Sequence, residues 1–97
     1  MEEKILTKHP YNKKGVNISK DRYNKIRNFI ISAISKRKEI TYSELNELAK
    51  EKLYGNFDGS IPWYLVTVKL DLEARKIIER IPNTSPHKLR LYKTSSV

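Results

Sequence analysis

Cysteine is absent from the 97-residue chain, which excludes disulfides and thiolate chemistry and suits a reducing compartment. Also missing is any apolar run long enough to span a membrane. The opening MEEKILTKHPYNKKG holds no stretch of signal-peptide character, so the expected location is the cytoplasm, with no membrane partner. Catalytic patterns are missing too. His9 and His87 are isolated, no His or carboxylate spacing suits a metal, and no glycine loop or serine motif supplies a phosphate cradle or a nucleophile. Asp71 and Glu73, two apart on a helix, point to different sides and cannot act as a close acid/base pair. The expectation is a protein that is not an enzyme and needs no cofactor or metal.

Acid is scarce as well: eleven Asp and Glu stand against twenty Lys and Arg, a net charge of +9. The surplus is uneven. Residues 20–38 carry seven basic groups and one acid, residues 39–58 two basic groups and five acids, and residues 81–97 three basic groups and no acid. Such asymmetry points to a polyanion, usually nucleic acid, although lysine-rich surfaces also serve solubility alone.

What is present is organised around Ile61–Pro82, IPWYLVTVKLDLEARKIIERIP, which reads as a helix running into a strand. Ser60 suits the N-cap and Pro62 the first turn, where no intrahelical donor is lost. Ile61, Leu65, Val68 and Leu72 make one apolar stripe; Trp63, Val66, Leu70 and Ala74 make a second on nearly the opposite side. Between them lie Tyr64, Thr67, Asp71 and Arg75 on one flank, Lys69 and Glu73 on the other. A helix apolar on two sides needs cover on two sides. The body can cover one stripe, and either the N-terminal arm or another chain must cover the other.

Upstream, residues 1–19 lack helical or strand periodicity and read as an extended arm, yet Ile5, Leu6, Tyr11, Val16 and Ile18 equip part of it to dock. Ser19 caps a helix from about Lys20 to Arg37, with Tyr23, Ile26, Ile30, Ala33 and Ile34 inward, Phe29 broadening the stripe, and Arg22, Lys25 and Arg27 on a basic outer face. The run Lys36, Arg37, Lys38 suits either a helix C-terminus or a nucleic-acid patch. Ile40 and Thr41 are extended, and Thr41 to Glu44 fits a capping box for a helix ending near Leu53. After it comes a turn with two glycines, onto which Phe57 tucks. Lys76 stands where a helix end favours glycine in the left-handed region, a cost of up to roughly 1 kcal/mol. Ile77, Ile78 and Ile81 then begin a strand, Pro82–Pro86 turns, and His87–Lys93 returns, with Lys88 and Arg90 on one face. Thr94–Val97 reads as a frayed tail.

The expected fold class is mainly α with a small β-hairpin: three helices and a C-terminal wing over residues 20–93, behind the arm of residues 1–19. The order resembles the winged-helix form of the helix-turn-helix, with residues 61–75 as recognition helix and residues 77–93 as wing. ILTKHP, FDGSIPWY, VKLDLEARKIIERIP and SPHKLRL together look like a small family of uncharacterised bacterial proteins with a winged-helix-like body, over nearly the whole chain. That resemblance implies a fold more than an activity.

Two functions fit. In the first, the domain binds double-stranded DNA as a transcriptional regulator would: Tyr64, Thr67 and Lys69 offer hydrogen-bonding groups on the third helix, and Lys88, Arg90, Arg22, Lys25 and Arg27 hold phosphates. Asp71 and Glu73 count against it, since exposed acids would repel the duplex. In the second, the domain is an interaction or dimerisation module whose interface is Trp63, Val66 and Leu70, covered by a second copy or another protein.

Overall fold

In the computed structural model, residues 3–11 and 13–92 are described, and among these the chain builds three helices and two small sheets. The expected tail Thr94–Val97 lies outside the described residues.

Each helix begins where a side chain can satisfy an orphan backbone donor. Ser19 Oγ accepts the Arg22 N–H at 3.3 Å and opens α1, Lys20–Arg37. Thr41 opens α2, Tyr42–Leu53, with the full reciprocal box: its Oγ1 accepts the Glu44 N–H at 3.1 Å, and its own N–H donates to Glu44 Oε1 at 3.0 Å. Those bonds hold the Glu44 carboxyl below its ordinary pKa. Ser60 opens α3, Ile61–Ala74, accepting the Trp63 N–H at 3.3 Å with Pro62 in the first turn.

The end of α3 is closed by a Schellman pair, Ile77 N–H to Leu72 O at 2.9 Å and Lys76 N–H to Glu73 O at 3.1 Å. Lys76 takes the left-handed position there, φ 61°, in place of the usual glycine. Lys38 likewise closes α1 at φ 69°.

The arm is not simply extended. Its ends pair as an antiparallel hairpin, β1 (Lys4–Leu6) with β2 (Asn17–Ser19), in the register Ile5 opposite Ile18. Strands of three residues contain too few alternations to show a period of two. Ile18 is buried and Ile5 packs beside it against α1, so the hairpin belongs to the core.

A second sheet gathers distant segments in the order β3-β5-β4. The pair Ile40–Thr41 (β3) lies against Lys88–Leu91 (β5), which also pairs with Ile78–Arg80 (β4). Ile77 precedes the strand it was expected to begin. Ile40, Ile78 and Leu89 carry the sheet into the core with Tyr23, Ile26, Ile30 and Ile34 of α1, Leu45 and Ala49 of α2, and Leu65, Val68 and Leu72 of α3.

The first stripe of α3 is therefore the inward one. The second is only half covered: Leu70 and Ala74 are partly buried near the hairpin loop, whereas Trp63 and Val66 remain 45 % and 37 % exposed. The expectation of complete cover fails for the first two turns of the helix. Among the described residues, no helix is long and apolar enough to cross a membrane.

Candidate nucleic-acid interface

The sequence-derived contact residues divide by what the fold does with them. Lys69 was expected on an open face, but it is 7 % exposed. Its ammonium lies 3.1 Å from Glu73 Oε2 and over the Tyr42 ring at 5.5 Å from the centroid. It cannot reach a base edge. Glu73 is mostly buried in turn, held between Lys69 and Arg80, whose Nε is 3.6 Å from Oε1. Asp71 is wholly buried. Neither acid thus confronts an approaching duplex, and the repulsion anticipated from them does not arise.

Tyr64 is half-buried and its hydroxyl receives Arg22 Nη1 at 3.4 Å, while Arg22 Nη2 reaches Asp58 Oδ2 at 2.7 Å. These two partners, Tyr64 first, raise the Arg22 pKa. The guanidinium ties the start of α1 to the turn before α3. Tyr64 also meets Phe57 edge-on at 5.1 Å and Trp63 at 4.9 Å, so the aromatic cluster stiffens the first turn of α3. Thr67 stays half-exposed beside Trp63 and Leu70.

Among the remaining cations, Lys25 pairs with Asp21 at 3.6 Å, Lys88 with Glu39 at 3.9 Å and Arg90 with Glu79 at 2.7 Å. Arg27 donates to Asn28 Oδ1 at 3.4 Å and makes no ion pair among the described residues. Lys88 and Arg90 of β5 thus each carry a nearby counter-charge.

Sequence reasoning missed two features. One is Asp71 as a junction: its carboxylate accepts the Lys8 N–H at 2.8 Å, the Arg75 Nε–H at 2.9 and 3.0 Å, and the Tyr23 hydroxyl. Burial, and then the bond to Asp71, push the Tyr23 phenol up to about 12; the same carboxylate raises Arg75. The spacing of Asp71 and Arg75, four apart on a helix, was the available signal.

The other is the loop between β1 and β2. Thr7 is buried, receives the Val16 N–H on Oγ1 at 3.0 Å and donates its own N–H to Val16 O at 2.9 Å. Gly15 lies so close to Thr7 that any Cβ would fall 1.7 Å from the Thr7 carbonyl oxygen. The loop is therefore pinned over α3, and it presents Lys8, Lys13 and Lys14 outward.

These features define a class: a small α+β domain in which a three-helix body and a three-stranded sheet share one core, with an N-terminal hairpin packed on the first helix and its loop lying over the third. The chain belongs to the family of unknown function DUF6958, which it matches over residues 4–89. No curated protein and no solved structure matches it.

Proposed function

We propose that this protein is a winged-helix domain that binds duplex DNA. The observation that carries the reading is the connection of the second sheet: helix, strand, helix, helix, hairpin, with β5 between β3 and β4. In that arrangement α2 and α3 form the helix pair and residues 81–87 the wing tip. The first two turns of α3 are open to a groove, with Trp63, Val66 and Thr67 accessible and Tyr64 held behind them by Arg22. The surplus of +9 supplies the attraction to phosphate. Lys88 and Lys25 sit in exposed ion pairs worth little in water, about 0–1 kcal/mol, so phosphates can replace their carboxylates, whereas Arg90 is bound to the part-buried Glu79 at 2.7 Å.

The test is binding to a mixed-sequence duplex at several salt concentrations. Affinity should fall steeply with salt, as counterion release requires. An absence of binding at low salt would overturn the reading. One observation favours a second reading, an interaction module: Trp63, Val66 and Val16 are exposed large apolar side chains near one another. A sedimentation mass that drops on dilution together with a red shift of Trp63 emission would favour that alternative.

A further inference from the structure

We infer that the loop of the N-terminal hairpin, through its described residues 7–11 and 13–16, is the main phosphate-holding element, gripping the DNA backbone with Lys8, Lys13 and Lys14 while Lys76 assists from the end of α3. The inference rests on the duplex-binding reading and changes where the contacts fall. Three observations carry it.

First, the loop is a built element. The bond from the Lys8 N–H to Asp71, at 2.8 Å, fixes it to α3, and the Thr7–Val16 bonds close its neck. The backbone at Lys8 is held while its ammonium stays outside. A preorganised cation loses less freedom on binding than one on a solvated tail.

Second, the loop's lysines and Lys76 have no carboxylate partner among the described residues; the Lys76 ammonium lies over the Tyr92 ring, 5.7 Å from its centroid. Lys8, Lys13, Lys14 and Lys76 make no ion pair among the described residues, as is also true of Arg27, whereas Lys88, Arg90, Arg22 and Lys25 each do. A cation already matched by a carboxylate adds almost nothing to the field that draws a polyanion, and its partner repels the phosphate that arrives. An unmatched lysine adds its full charge.

Third, the loop is flanked by two clefts that suit a backbone and the groove beside it. One, of about 520 Å³, is bordered by Lys8, Lys13 and Lys76; its single carboxylate, Glu73, is already held by Lys69 and Arg80. The other, about 170 Å³, runs between Lys14 and the Trp63–Thr67 surface of α3. Because the loop lies over Leu70 and Ala74, α3 cannot enter a groove along its full length. Only its first two turns can, and the loop then rides on the neighbouring phosphates. Cations spread over both clefts match a chain of phosphates better than one isolated anion.

The experiment is a salt titration of duplex binding by three variants, each with its melting temperature recorded. Lys8→Ala/Lys13→Ala/Lys14→Ala should bind at least about tenfold more weakly at low salt, and its slope of log affinity against log salt should flatten by about 2–3. Lys88→Ala/Arg90→Ala should change the slope less. Lys76→Gly removes a cation while relieving a left-handed lysine, so it should melt higher and flatten the slope by about 1. If the unaltered protein binds duplex but the triple variant and Lys76→Gly keep its slope, the loop assignment fails and the duplex reading survives. A larger effect from the wing variant than from the triple variant overturns the assignment as well. If the unaltered protein binds no duplex at low salt, both fall.

Discussion

Asp71 is a carboxylate placed where a charge is expensive, wholly inside the domain, and it persists because three donors from three places converge on it. It joins the hairpin loop through Lys8, α1 through Tyr23 and its own helix through Arg75. Asp71→Ala should destabilise the domain by about 3–5 kcal/mol, since it strands a partly buried Arg75 and frees the loop; urea denaturation measures this. Tyr23→Phe removes one donor from a charged acceptor and should cost about 2 kcal/mol. Its pH signature is distinctive. The folded phenol titrates near 12 against an ordinary 10.0, so the stabilisation is complete below 10 and is lost as pH rises from 10 to 12. The stability difference between wild type and Tyr23→Phe should shrink across that window. A difference that is flat from pH 9 to 12 would contradict the Tyr23–Asp71 bond.

Among the elements, the hairpin strap depends on one glycine for reasons of space. Gly15 is not in the left-handed region; it is small because the Thr7 carbonyl leaves no room for a Cβ. Gly15→Ala should force the neck of the loop apart, at about 1–3 kcal/mol for an overpacked contact. Limited proteolysis should then cut first within residues 7–16, and the melting temperature should fall. A variant as protease-resistant as wild type would show that the neck is wider than 1.7 Å implies. The helices were readable in advance because their start signals are local: Ser19, Thr41 with Glu44, and Ser60 with Pro62 each act within one turn. Three-residue strands offer no such signal, and β1 and β2 are recognised only by their partners.

For the whole molecule, Trp63 is the natural reporter, as the one tryptophan and 45 % exposed. Its emission should lie between those of buried and fully hydrated indole, should be quenched by acrylamide, and should stay unchanged on dilution. If the proposed duplex binding holds, addition of duplex should then shield it, because the open turns of α3 would face the groove. An emission already shielded at high concentration and released on dilution would instead place a second copy on Trp63 and Val66.

Local chemistry in the chain determined the capped helices, the Lys76 turn, the hairpin of β4 and β5 and the positive surplus, whereas only the fold decided which stripe of α3 faces inward. The caps and the Lys76 turn act within about one turn of the chain, the hairpin joins neighbouring segments through a short turn, and the charge is a sum over composition. Tertiary structure decided the rest. Whether Lys69 faced solvent or core could not be read from a helix with apolar stripes on both sides; the approach of Tyr42 and Arg80 settled it. Asp71 reads as a surface acid until Lys8, 63 residues away, and Tyr23, 48 residues away, are brought to it. The strap over Leu70 and Ala74 left Trp63 only half covered for the same physical reason: a loop anchored at Asp71 lies over the later turns of α3 and only flanks the first.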